Sequence, residues 1–194
     1  MNNSLSIKNF FQNFGQLSNK DWQLIQSLEQ IVDIDKGEYF VKEGQIKDEI
    51  GFIINGCMRY FYLKDGEEIT GEFWQENEIV AAYEGCILQK PSSLYIEAIE
   101  PTKLIVLPYR KLRSLSDAIA GLDKIIIALL ENFIVLSQER VASFIIETPE
   151  ERYLRLRKEM PGIEDRVHQK YIASFVAVTP VTLSRIRARL AKRK

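Results

Sequence analysis

The amino-acid sequence predicts an α+β fold: an N-terminal antiparallel β-roll or jelly roll, one long helix, and a small all-α C-terminal end. Three observations predict it. Short β-rich runs broken by turn signals fill residues 37–107, an apolar stripe runs from 117 to 147, and two short helices with a sharp corner occupy 169–194. Charge divides the chain the same way. Residues 152–194 hold 12 Lys or Arg against 3 Asp or Glu, whereas residues 1–151 hold 14 against 24. An acidic body with a basic end points to a polyanion bound at that end.

Residues 1–34 read as helical. Ser18 followed by Asp21 makes a weak capping box, and Trp22, Ile25 and Leu28 mark the face that packs down. The start lacks the apolar core of a secretory signal, and the longest purely apolar run, Ile125 to Leu130, is too short for a bilayer. A cytoplasmic protein without membrane contact is expected. Cys57 and Cys86 have no second Cys or His at ligand spacing, so they read as reduced thiols and no metal site is expected.

From Gly37 onward the period changes to that of strands. Turn signals recur at DKGE, KEGQ, Asn55-Gly56 and Lys64-Asp65-Gly66. Asn-Gly between two β-rich runs predicts a tight hairpin with positive φ at both central residues. Repeated short strands of this kind predict a small antiparallel barrel or jelly roll. The roll contains no histidine, which excludes the His-rich metal chemistry of enzymes built on such barrels. No enzymatic constellation is found elsewhere. His168, the single histidine, reads as an ordinary surface or helix-start residue, a second-sphere phosphate contact being the alternative.

After Pro108 the chain turns helical. Ile119, Leu122, Ile126, Leu129, Phe133, Leu136 and Arg140 follow spacings of three and four, close to an a/d seam. A helix over about 117–147 would run ~45 Å, more apolar length than one small roll can cover. The stripe therefore predicts a dimer seam, an internal core helix being the alternative. Thr148-Pro149-Glu150-Glu151 then supplies a cap, a first-turn proline and acids at a helix start. The domain boundary is placed there: 1–147 for roll and long helix, 148–194 for the basic end.

In that end, Thr179 can cap a helix whose first residue is Pro180. Leu183, Ile186 and Leu190 form its apolar face, and Ile172, Ala173 and Val176 form that of the helix before it. Val181, Thr182, Arg185 and Arg189 fall on the opposite side, with Arg187 and Lys192 on the flanks. A basic helix on a rigid support is what a helix-turn-helix needs to enter the major groove of duplex DNA. The candidate DNA contacts are Lys170, Thr179, Pro180, Val181, Thr182, Ser184, Arg185, Arg187, Arg189 and Lys192. Among them Arg185 is the candidate for a guanine edge, with Thr182 and Ser184 at phosphates. The alternative is an amphipathic terminal helix with a solvated basic face, docking an acidic protein partner.

Roll, long helix and terminal helix pair, in that order, resemble the bacterial transcription regulators of the cyclic-AMP receptor protein / FNR family. The most specific pieces are IASFVAVTPVTLSRIRARL and TPEERYL. The resemblance implies a homodimer on a near-palindromic site, with a small-molecule effector in the roll and RNA polymerase as a further partner. The spacing places the seam of such a dimer at Leu122, Ile126, Leu129, Phe133, Leu136 and Arg140. Three departures matter. Pro180-Val181 stands where relatives often carry Arg-Glu, which removes an acceptor for cytosine amino groups. Ala177 replaces a turn glycine, at a cost of about 1 kcal/mol if that position has positive φ. The sequence also ends just after the second helix, so a β-hairpin wing is expected to be reduced or absent. For the effector, the family's cassette is Gly-Glu, whose Glu holds a ribose hydroxyl, followed by Arg-Ser/Thr-Ala, whose Arg neutralises a cyclic phosphate. Here Asn77-Glu78 stands for the first part and Ser92-Ser93 falls in the second, with no arginine. No cofactor is expected, and cyclic AMP is a poor candidate because Lys90 is no bidentate fork.

Overall fold

The computed structural model describes residues 3–192. Helix α1 spans Asn3–Gln12 and α2 spans Asn19–Gln26, with Ser18 accepting from the Asp21 amide at 3.2 Å as the N-cap. Trp22 and Ile25 of α2 are buried as their spacing predicts. The helix ends earlier than expected, because residues 30–34 form strand β1 (Gln30–Ile34). That segment holds Ile-Val, and a strand partner far along the chain takes its backbone bonds. The β-branched pair favours the strand, and pairing with β8 fixes it.

Strands β2 (Tyr39–Val41), β3 (Glu49–Asn55), β4 (Met58–Lys64), β5 (Glu67–Trp74), β6 (Ile79–Ala81), β7 (Tyr95–Ala98) and β8 (Thr102–Pro108) complete the roll. Two four-stranded sheets result, in the orders β1-β8-β3-β6 and β2-β7-β4-β5. Pairing is antiparallel, with Gln30 opposite Val106 and Gly51 opposite both Val106 and Val80. Phe40, Val41, Ile53, Met58, Val80, Ile96 and Leu104 fill one core cluster. A second joins α1 and α2 to the roll through Phe11, Trp22, Phe52, Ile105 and Leu107, and continues into Leu122, Ile125 and Ile126.

The hairpin expected at Asn55-Gly56 does not form. Strand β3 belongs to one sheet and β4 to the other, so this dipeptide carries the chain around the corner between them. Only Gly56 has positive φ, at 113°, and a Cβ there would lie 2.4 Å from Thr102 Oγ1. The glycine is required by close approach to β8, not by a two-residue hairpin. The tight turn with two positive φ values occurs at Asp65 (53°) and Gly66 (81°), between β4 and β5.

Past β8 come α3 (Tyr109–Ser114), a 3₁₀ turn (Leu115–Asp117) and the long helix α4 (Leu122–Ile146). Then follow α5 (Pro149–Glu159), α6 (Ile163–Arg166), α7 (Gln169–Phe175) and α8 (Pro180–Ala191). Thr148 caps α5 through a reciprocal capping box with Glu151, with Pro149 in the first turn. Those bonds hold the Glu151 carboxyl below the usual carboxylate range. Two compact units emerge. Among the described residues one contains 3–60 and 73–134; the other contains 61–72 and 135–192. The outer half of the β4–β5 hairpin thus groups with the C-terminal helices.

Gly56→Ala is expected to lower stability by about 3 kcal/mol, from strain plus overlap with Thr102. Chemical denaturation at constant m-value measures it; a loss under 0.5 kcal/mol would mean that this corner is not close-packed.

Candidate nucleic-acid interface

Helices α7 and α8 meet at a corner whose geometry is strained at one residue. Ala177 has φ 59°, so the position does need the left-handed conformation that a glycine would take freely. Thr179 caps α8 by accepting from the Thr182 amide at 3.2 Å, and Pro180 occupies the first helical position. The Gln169 side chain donates to the Pro180 carbonyl at 3.0 Å, bracing the corner from the start of α7. Ile172, Ala173, Val176, Leu183 and Ile186 are all buried between the two helices and their neighbours.

A buried guanidinium fixes this pair to the helices before it. Arg152 of α5 donates through Nε and Nη2 to the Val176 carbonyl, at 3.1 and 3.0 Å. Its Nη1 reaches the carbonyls of Ser143 and Glu147, at 3.2 and 2.6 Å. Those oxygens belong to the ends of α4 and α7, where unpaired carbonyls and the negative helix ends collect. Arg140, placed in the dimer seam from sequence, is buried too. Its Nη2 donates to Phe175 O at 2.7 Å, its Nε to Gly71 O at 3.2 Å, and it stacks on the Phe175 ring at 3.5 Å. Ser174 adds a third tie: it accepts from the Thr70 amide at 2.9 Å and donates to the Glu68 carbonyl at 3.0 Å. Strand β5 is an edge strand, so these backbone groups have no strand beside them, and Ser174 takes their place. Nothing in the local sequence marks Ser174 for this role.

Helix α8 shows two faces. Leu183 and Ile186 are buried and Leu190 is half-buried, whereas Val181, Ser184, Arg185 and Ala188 are exposed. Its three described arginines differ. Arg189 makes two bonds to the Glu150 carboxylate, one at 2.8 Å. Arg187 Nε pairs with Glu164 at 3.3 Å, and Glu164 also holds Arg157 at 3.2 Å and the Tyr153 hydroxyl. Burial and that carboxylate push the Tyr153 hydroxyl up to about 12. Arg185 alone of the three has no ion-pair partner among the described residues. Thr179, Pro180, Lys170 and Lys192 are also exposed, and Thr182 is half-buried with its hydroxyl 3.0 Å from that of Thr179. The acids Glu150 and Glu164 were not foreseen, because they lie on other helices.

In the roll, the cassette residues are already engaged. Asn77 takes a positive φ of 68°, and the Glu78 carboxylate folds back to accept the Gln75 amide at 2.7 Å. Burial raises the Glu78 pKa, opposed by that hydrogen bond. Ser92 is buried and donates to the Leu94 carbonyl at 2.9 Å. Ser93 gives both its amide and its hydroxyl to the Glu84 carboxylate, at 2.8 and 2.9 Å. No hydrogen bond joins Glu78 to Ser92 or Ser93. The Glu84 carboxylate thus occupies both donors of Ser93.

Along α4 the seam residues divide. Leu122 and Ile126 are buried in the roll's own core, and Leu129 is half-buried against it. Phe133 and Leu136 stay exposed, with Ile127, Ile134, Val141, Ile145 and Ile146; the last two are 77% exposed. Among the described residues no helix is long and apolar enough to cross a membrane.

These features belong to a known class. Residues 31–118 match the family described as the cyclic nucleotide-binding domain. Similar solved structures include the catabolite activator protein of Thermus thermophilus, at 19% identity over 93% of this chain and 86% of that one, with a TM-score of 0.57. FixK2 of Bradyrhizobium japonicum gives 16% identity over 85% of each chain and a TM-score of 0.73. The c-di-GMP responsive global regulator CLP of Xanthomonas campestris gives 12% over 91% and 93%, with a TM-score of 0.65. No curated protein sequence matches significantly. The chain shares the fold of these solved structures, and its residues 31–118 match the model of a cyclic nucleotide-binding domain.

Ala177→Gly should raise stability by about 1 kcal/mol, readable as an increased denaturation midpoint. Arg152→Met should cost about 3 kcal/mol, since the Glu147 and Val176 carbonyls lose their donor, the Ser143 carbonyl loses one of two, and only shape is kept. An unchanged midpoint for the second variant would contradict the role of the guanidinium.

Proposed function

We propose that this protein is a transcription regulator that binds duplex DNA as a homodimer through α8. The observation that carries the reading is the state of Arg185: exposed, without an ion-pair partner among the described residues, and on the outer face of a capped helix whose other described arginines are held by acids. The +9 end supplies the counterion-releasing contacts to phosphates, and the acidic remainder repels the duplex elsewhere. Lys170 and Lys192 take phosphates in this reading. Residues 148–194 form the DNA-binding domain, and 1–147 the roll with its dimerisation helix. The similar structures named as an activator and a global regulator support the same class.

Dimerisation is supported by the exposed apolar length of α4, since a second copy would cover Phe133, Ile134, Leu136, Val141 and Ile145. Two copies present two reading helices to half-sites about one turn apart, ~34 Å, on a near-palindrome. The roll acts as an effector domain whose ligand is not a cyclic nucleotide. Glu84 occupies the Ser93 donors, and an incoming phosphate would meet like charge.

In mobility-shift assays, Arg185→Ala should abolish discrimination between a selected site and random duplex, while Lys192→Ala weakens both alike. Equal behaviour of both variants and the parent would remove α8 from the interface. Leu136→Glu with Ile134→Glu, both at exposed positions, should give monomers in sedimentation and loss of two-half-site binding. Cyclic AMP at 1,000-fold excess over a typical Kd would add about 4 kcal/mol if it bound; no rise in melting temperature is expected.

A further inference from the structure

Arg189 follows Arg185 on the next turn of α8, ~40° further round the helix axis. Both are exposed, on the side away from buried Leu183 and Ile186. Their surroundings differ. Arg189 donates through Nε, at 2.8 Å, and through Nη2 to one carboxylate oxygen of Glu150. Glu150 lies in the first turn of α5, where the positive helix end favours a carboxylate. The pair is buried unevenly: the Arg189 side chain is 52% exposed and that of Glu150 only 18%. The carboxylate therefore depends on the guanidinium for charge-assisted bonds that little water is present to replace.

A guanidinium closed on a carboxylate presents no net charge. Binding to a duplex gains from counterions released by its phosphates, and only a cation that neutralises a phosphate releases one. Moving Arg189 onto a phosphate would strip Glu150 of its partner and leave a largely desolvated carboxylate facing an anion. Glu150 is thus an internal competitor for the phosphate. We propose that Glu150 is a positioning residue that holds Arg189 off the DNA backbone and so limits sequence-independent affinity, leaving phosphates to Lys170 and Lys192. The inference rests on the proposed binding of duplex DNA through α8. It goes beyond that reading by assigning a brake on binding to a residue of another helix.

The test measures binding of the full chain to a random duplex by fluorescence anisotropy, at salt concentrations from about 0.05 to 0.2 M. Glu150→Gln keeps the shape and removes the charge. It should steepen the fall of log K with log salt by about 0.9 per subunit, and tighten binding about eight-fold per subunit at about 0.1 M salt. Arg189→Met should leave the slope at the parent's value, and the double variant Glu150→Gln/Arg189→Met should return to it. Asp165→Asn, which removes an exposed charge from α6 without freeing an arginine, should also keep the parent's slope. An unchanged slope in Glu150→Gln overturns the inference, as does a steeper one shared by Asp165→Asn. Weaker binding by Glu150→Gln overturns it too, because Glu150 would then be presenting Arg189 to phosphate. Should Glu150→Gln fail to fold, Arg189→Met decides alone: the parent's slope upholds the inference and a shallower one sinks it. A parent chain that binds no duplex even at about 0.05 M salt overturns the DNA-binding reading itself, and this inference with it.

Discussion

The C-terminal unit depends on the satisfaction of one buried charge. Arg152 lies with 6% of its surface exposed and spends three nitrogens on the carbonyls of Ser143, Glu147 and Val176. All three lie at helix ends; the Ser143 oxygen also accepts the Glu147 amide at 3.1 Å, whereas those of Glu147 and Val176 are supplied by the guanidinium. A lysine could not serve all three, because a single ammonium lacks the planar reach of the fork. The cation is stable there because helix ends are partially negative, and the helix ends are stable because the cation is there. The corner between α7 and α8 inherits its position from this arrangement, including the strain borne by Ala177.

Charge placement follows a related logic on α8. A helix with several exposed arginines would repel itself and bind any polyanion alike. Glu150 and Glu164 hold Arg189 and Arg187 along the flanks, which restricts their side chains. Half-exposed pairs of this kind add little to stability. Their effect is on conformation: the flanking arginines are held by carboxylates, and the outer stripe is left to Val181, Ser184 and Arg185.

The edge of β5 shows how the hairpin and the helix pair share one unit. Ser174 closes two backbone groups of the edge strand, and Arg140 joins Gly71 to Phe175. The hairpin's other end enters the roll at Tyr60 and Trp74, whose rings lie 5.5 Å apart. Edge strands invite pairing with foreign chains, and this one is covered in part by its own helix.

What the sequence determined alone was local. Ser18, Thr148 and Thr179 cap helices because a hydroxyl three residues before an orphan amide can reach it wherever the chain goes. The buried faces of α7 and α8 were legible from their spacing, as was the left-handed turn at Ala177 once the resemblance placed a glycine there. Tertiary structure decided everything that needed a distant partner. It sent β3 and β4 to different sheets despite Asn55-Gly56, drew residues 30–34 into a strand against β8, and turned Leu122 and Ile126 into the roll's own core. It also set Glu84 on Ser93 and Glu150 on Arg189, pairs nine and 39 residues apart. Backbone periodicity reports which face of an element is apolar; it carries no record of which other surface will cover that face, because that choice is made by packing among all of them at once.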